Sequence, residues 1–168
     1  MASRTPAAVT RRVAVALLIA AVGIPAGLRA QSSPPRTGRW ELDLQKSTFN
    51  PGPGPRQQTR VDRQSPTGLE ATVTGITGTG MEINYRYAPS FGGSDVPIMG
   101  TGVPSGGDSI AVRLIDERTI ESTLRRAGMV VLTRTEVVSA DGRMLTITSR
   151  GVDPSGAAAS NVTVYNRR

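Results

Sequence analysis

The 168-residue sequence contains no cysteine and no histidine, and these two absences remove most kinds of enzymatic and metal site. Without cysteine, the chain has no disulfide framework, no thiolate metal site, no cysteine nucleophile and no lipobox cysteine for lipid attachment. Without histidine, it has no Ser-His-Asp triad, no imidazole base and no histidine metal site. We therefore predict neither a cofactor nor a metal. Any enzymatic chemistry would have to use carboxylate or tyrosine side chains.

The first thirty residues have the order of a secretory signal peptide. Three arginines give a basic start, an apolar run extends from Val13 to Ile24, and small residues follow up to Ala30. The run has 12 residues, fewer than the roughly 20 that a membrane-spanning helix needs. We expect export through the general secretory route, with twin-arginine export as the alternative. Cleavage after Ala30 would then leave a secreted or periplasmic protein whose mature part has no membrane span.

The net charge of +7 comes mostly from this same segment, which carries four arginines and no acidic residue. The remaining chain has 16 basic and 13 acidic residues, a net charge of +3. Its arginines are scattered through several segments, and few aromatic residues lie between them. This distribution is not that of a nucleic-acid surface. We divide the chain into a signal peptide (1–30), a flexible linker (31–37) and one domain (38–168).

Short segments of alternating apolar and polar residues fill the predicted domain, and helical periodicity is almost absent. Alternation is clearest from Met81 to Tyr87, where apolar residues and tyrosines take every second position. Asp141-Gly142 lies between two such segments, Met129 to Ser139 and Met144 to Arg150, and provides the positive φ angles that a tight hairpin turn requires. Successive hairpins predict an all-β antiparallel up-and-down barrel of about 8–10 strands, with a β-sandwich as the alternative.

A resemblance to the calycin superfamily, the lipocalins and fatty-acid-binding proteins, rests on several motifs. Gly38-Arg39-Trp40 is similar to the lipocalin Gly-x-Trp signature, and the chain is more closely similar to small secreted bacterial lipocalin-like proteins of unassigned function. The segments 46–49, 116–119, 137–146 and 161–165 continue the likeness. The resemblance implies a ligand-binding barrel that Trp40 closes at one end, with Arg167 or Arg168 packed across the indole. The fatty-acid-binding Arg-x-Tyr clamp is absent, because Tyr165-x-Arg167 has the reverse order.

The candidate ligand-binding residues are tyrosines and arginines inside predicted strands, whose donors suit the carboxylate or phosphate head of a ligand. They are Tyr85, Tyr87, Arg134, Arg150 and Tyr165. Tyr85 and Tyr87 share a face with Met81 and Ile83 and are predicted to point inward. Tyr165 and Arg167 lie opposite Val162 and Val164 in the alternation. An inward arginine needs a carboxylate partner, because a buried unpaired charge is costly.

The acidic residues give no catalytic pair. Asp116, Glu117, Asp141 and Asp153 all fall in predicted turns, where backbone geometry accounts for them, so we assign no catalytic residue. The leading functional hypothesis is a barrel that binds a small apolar or amphipathic molecule in its interior. Two alternatives stay open: a ligand-free structural or protein-interaction module of the cell envelope, and a barrel enzyme that uses carboxylate or tyrosine chemistry.

Overall fold

The computed structural model describes residues 35–168, and within that range the chain forms twelve antiparallel β-strands. The strands are β1 (Gly38–Leu42), β2 (Thr48–Asn50), β3 (Gln57–Gln64), β4 (Leu69–Ile76), β5 (Glu82–Tyr87), β6 (Val96–Pro97), β7 (Met99–Thr101), β8 (Ser109–Leu114), β9 (Thr119–Arg126), β10 (Met129–Val138), β11 (Met144–Val152) and β12 (Ala158–Arg167). The predicted signal peptide lies outside the described residues. No helix within residues 35–168 has the length and apolar character needed to span a membrane.

Eleven of these strands follow one continuous path of hydrogen-bonded neighbours, in the order β6-β8-β9-β10-β11-β12-β1-β3-β4-β5-β7. The path begins with β6, which pairs with β8, and ends with β7, which pairs with β5. In the sequence, only Ile98 separates β6 from β7. One short segment therefore joins the two edges of the sheet and nearly closes it into a barrel. The predicted antiparallel barrel is confirmed, and the sandwich alternative is wrong.

The strand count exceeds the predicted 8–10 because two short strands are difficult to detect in the sequence. The segment from Ser90 to Met99 forms two isolated bridges and the short strand β6, and β7 begins only at Met99. Strand β2 lies off the main path and pairs with β12. Prolines lack the amide donor that a regular ladder needs, so Pro97 limits pairing in β6.

Alternation of burial along the strands defines the interior. Side chains in β5 alternate strictly between exposed and buried, and β10 does the same from Leu132 onward. Buried apolar side chains form two clusters. The larger cluster includes residues of β4, β5, β8, β9 and β10, and the smaller one surrounds Trp40. Several polar and charged side chains are buried as well, and they are described below.

Candidate functional site

A cavity of about 420 Å³ lies inside the barrel. Its mouth is lined by the proline-rich segment 51–55, the β4–β5 turn, the loop that follows β7 and the β11–β12 turn. Apolar side chains form most of the wall: Phe49, Val73, Ile83, Val103, Leu132 and Ile147. The volume lies in the range of about 300–1,000 Å³ that small-molecule sites occupy. The cavity is therefore large enough for a small organic molecule.

Polar side chains form the inner end of the cavity. Arg60, Tyr85, Arg134 and Tyr165 all line it, and each is less than one-tenth exposed. The Tyr165 hydroxyl donates a hydrogen bond to Oε1 of Gln58, which also lines the cavity. Burial raises the pKa of the Tyr165 phenol, so the side chain stays neutral and offers no negative charge to a ligand.

Beneath this inner end, a buried ion network crosses the barrel. Arg60 donates from Nε to Oδ1 of Asp62 over 2.7 Å and from Nη1 to Oε2 of Glu136 over 3.0 Å. Arg36 pairs with Glu136 as well, and Ser122 Oγ donates to Oε1 of Glu136 over 3.1 Å. All five side chains are nearly or fully buried. Glu136 is the central acceptor, because it receives bonds from three of the other four.

The electrostatics of Glu136 follow from this position. Burial alone would raise the pKa of the Glu136 carboxyl. The positive charges of Arg60, Arg36 and Arg134 and the hydrogen bond from Ser122 outweigh this effect and lower the pKa from 4.5 to about 2. Burial also raises the pKa of the Tyr87 phenol. The guanidinium carbon of Arg60 lies 6.0 Å from the centroid of the Tyr87 ring. Glu136 is therefore ionised at neutral pH and acts as a structural anion.

Acid is expected to destabilise the fold through Glu136. A group with a lowered folded-state pKa stabilises the protein fully above its unfolded-state value, and this contribution disappears as the pH falls through the folded-state value. For Glu136 the window runs from pH 4.5 down to about 2, with a contribution of about 3 kcal/mol to the free energy of unfolding. Carbon-13 NMR of the Glu136 carboxyl should give a midpoint near the lower end. A midpoint at 4.5 or above would contradict the ion network.

The opposite end of the barrel is closed around Trp40, which is fully buried. Its Nε1 donates to the backbone oxygen of Arg36 over 2.9 Å, and the Arg167 guanidinium lies 4.2 Å from the indole ring centroid. Arg167 also donates to the carbonyls of Thr37, Pro35 and Gly142. Gly38 has a φ of +149°, and a Cβ there would overlap Nη1 of Arg167. The glycine of the Gly-x-Trp motif thus makes room for the arginine.

The predicted linker 31–37 lies only partly within the described residues. Residues 31–34 of the predicted linker lie outside the described residues. In the second half, Arg36 is only 5% exposed and belongs to the ion network, so this part of the chain is packed against the barrel end. Ion pairs with Glu136 and Asp62 hold the Arg36 side chain in place, and without Arg36 these buried carboxylates would lose a partner.

The structure brings three of the five predicted ligand-binding residues together. Tyr85, Arg134 and Tyr165 line the cavity. Tyr87 is buried one step below it, with its ring stacked near Tyr85 at a centroid distance of 6.3 Å. Arg150 is exposed on the outer face of β11 and does not join the others, so its assignment to the ligand site is corrected.

The inward position of Tyr165 differs from the alternation expected in β12. The sequence places Val162 and Val164 opposite Tyr165, as if the valines faced the core. Val162 is instead 39% exposed, and Tyr165 is the inward residue. Val164 is buried on the outer face, because the segment around the 3-10 turn Leu44–Lys46 covers it. The Asp43 amide donates to the Val164 carbonyl, and the Val164 amide donates to Oγ of Ser47. Val164 and Tyr165 are therefore both buried although they lie on opposite faces of the strand.

Sequence reasoning missed the charged partners in the interior: Arg36, Arg60, Asp62 and Glu136. A usable signal was present in the alternation, since Glu136 shares a strand face with Leu132, Arg134 and Val138, and Arg60 shares one with Asp62.

Within residues 35–168, no cluster of three or more acidic side chains is present that could hold a metal ion.

Comparisons with known proteins give a likeness at the level of structure. No protein-family model matches the sequence, and neither does any of the curated proteins that were compared. Among solved structures, the chain is similar to the zebrafish ileal bile acid-binding protein, in a crystal structure of its complex with cholic acid. The sequence identity is 12%, the TM-score is 0.43, and the match covers 80% of this chain and 99% of the other.

Proposed function

We propose that this protein is secreted or periplasmic and binds a small hydrophobic or amphipathic molecule inside its β-barrel. The observation that supports binding is the cavity of about 420 Å³, with an apolar wall and a polar inner end. A barrel that served only as a structural module would gain from filling this space with side chains, because empty apolar volume destabilises a core. The proposed export depends on the sequence of residues 1–30 alone.

The side chains that line the cavity suit a molecule with one apolar part and one polar part. Val73, Ile83 and Leu132 lie on its wall and would remove hydrocarbon from water at about 25 cal/mol per Å² of buried area. Gln58 and Tyr165 at the inner end offer fixed hydrogen-bonding groups. Such sites bind by apolar contact and gain orientation from a few polar groups.

Filling the cavity is expected to weaken binding of a neutral apolar probe. Val73→Phe adds bulk to a wall residue that is 2% exposed, whereas Thr74→Phe adds the same ring to the outer face of β4. Titration with N-phenylnaphthylamine, whose fluorescence rises in apolar surroundings, should give a dissociation constant at least several-fold higher for Val73→Phe and an unchanged one for Thr74→Phe. Equal constants for the two variants, or no saturable binding to the original protein, would contradict the proposal. The second result would favour the ligand-free module.

A further inference from the structure

We propose that the ligand carries a single negative charge, on a carboxylate or sulfonate head, and that Arg134 binds this head at the inner end of the cavity. This inference rests on the proposed function, because it assigns the polar part of the same ligand. Four observations carry it: an excess of positive charge in the interior, unpartnered donors, a row of polar side chains in register, and the depth of Arg134 in the cavity.

The first observation is the charge of the interior. Among the described residues, the buried ionised side chains are three arginines and two carboxylates: Arg36, Arg60, Arg134, Asp62 and Glu136. The two carboxylates already have Arg36 and Arg60 as ion-pair partners at 4 Å or less. One positive charge therefore remains without a matching anion. A monoanionic ligand would neutralise it, whereas a dianion would leave an uncompensated negative charge in a buried site.

The second observation identifies where that positive charge lies. Arg134 is 7% exposed, and within residues 35–168 its Nε has no hydrogen-bond partner. Nη2 of Arg60 is also without a partner there, and both arginines line the cavity. A buried donor without an acceptor is costly, and a charged acceptor satisfies it best. Two guanidinium groups with free donors suit the two or three oxygen atoms of a carboxylate or sulfonate.

The third observation is the register of the strands around Arg134. Arg134 of β10 lies opposite Ser149 of β11, and Ser149 lies opposite Asn161 of β12. Neighbouring strands are about 5 Å apart, so these side chains form a continuous row across three strands. All three line the cavity. The row adds a hydroxyl and an amide to the guanidinium, and these neutral groups can bind head oxygens without adding charge.

The fourth observation fixes the orientation of the ligand. Strand β10 contributes Leu132 and Arg134 to the cavity, but not Glu136, the next inward residue toward the Trp40 end. Arg134 is thus the deepest cavity residue of its strand. The mouth instead has exposed Pro51, Pro53 and Met81. The charged head enters first, and the apolar tail extends toward the mouth.

Two probes with one aromatic skeleton test this inference. Anilinonaphthalene sulfonate has one negative charge, and N-phenylnaphthylamine has none. Their dissociation constants should be measured by fluorescence for the original protein, for Arg134→Met, and for Arg150→Met, which removes the same charge from the outer face of the adjacent strand. Competition by decanoate and by decanol then extends the comparison to a carboxylate and its neutral analogue.

We expect Arg134→Met to weaken binding of the sulfonate by about ten- to hundredfold, and to leave binding of the neutral probe within about twofold because no charged contact is lost. Arg150→Met should leave both constants unchanged, and decanoate should compete better than decanol. Arg134→Lys, which keeps the charge but loses the planar fork, should recover part of the lost affinity. This variant also serves if Arg134→Met does not fold, and its affinity for the sulfonate should then lie below that of the original protein.

Three results would overturn the inference while leaving the proposed function intact. They are equal loss of sulfonate binding in Arg134→Met and Arg150→Met, parallel loss of both probes in Arg134→Met, and decanol competing as well as decanoate. Failure of both probes to bind the original protein would overturn the inference and the proposed function together.

Discussion

Replacing Glu136 by glutamine is expected to lower the free energy of unfolding by about 3–5 kcal/mol, because it breaks a buried ion network. The glutamine keeps the shape of the side chain but removes the anion that Arg36 and Arg60 contact. Arg60 would keep Asp62 as a partner, and Arg36 would keep only the 3.5 Å contact with Asp62. The interior would then hold two uncompensated positive charges instead of one.

Glu121→Gln is the matched control for this experiment. Glu121 lies on β9 and pairs with Arg113 over 2.7 Å, but its side chain is 47% exposed. Exposed ion pairs contribute about 0–1 kcal/mol, so this change should be nearly neutral. Urea unfolding of the two variants at neutral pH measures both effects. Similar losses for Glu136→Gln and Glu121→Gln would mean that the buried network does not stabilise the fold as described.

Trp40→Ala is expected to lower the free energy of unfolding by about 3–5 kcal/mol, because it removes a fully buried aromatic side chain and leaves a void at the closed end of the barrel. The variant also loses the stack with Arg167 and the hydrogen bond from the indole to the Arg36 carbonyl. Arg167→Met keeps the indole but removes the stack, which contributes about 0.5–2 kcal/mol, together with the Arg167 hydrogen bonds to the Thr37, Pro35 and Gly142 carbonyls.

The ligand-binding measurement separates a structural role of Trp40 from a binding role. Trp40 does not line the cavity. The folded fraction of Trp40→Ala should therefore bind N-phenylnaphthylamine with the stoichiometry of the original protein. A variant that kept its stability and lost the binding of the probe would show that Trp40 belongs to the ligand site and not to the closure of the barrel.

Much of the barrel could be predicted because each hairpin has a local signal. The Asp141-Gly142 turn and the alternating segments beside it give strands that the structure places at Met129–Val138 and Met144–Val152. This hairpin also contains the information that separates two similar arginines. Once the turn is fixed, Arg134 lies opposite Ser149 and Arg150 opposite Thr133, on alternate faces of the sheet. Arg134 is then inward with Glu136 and Val138, and Arg150 is outward.

The ion network could not be predicted in the same way, because its members come together only through the closure of the barrel. Arg60 and Glu136 are 76 residues apart in sequence and lie on strands that are not neighbours in the sheet. The alternation places Glu136 on the same face as Leu132 and Val138, but it does not show which charged side chain lies across the barrel from it. The same limitation explains Val164, whose outer face is buried by a segment more than a hundred residues earlier in the chain.

The most direct test of an interior ligand site is an NMR titration with N-phenylnaphthylamine that follows methyl resonances on both sides of the sheet. Val73, Ile83 and Ile147 line the cavity, whereas Val130 and Val137 are exposed on other parts of the barrel. The proposed function predicts saturable shifts at one molecule per chain for the three interior residues, with small shifts for the two exposed valines. Shifts confined to the exposed valines, or no saturable shift at any of the five residues, would contradict ligand binding inside the barrel.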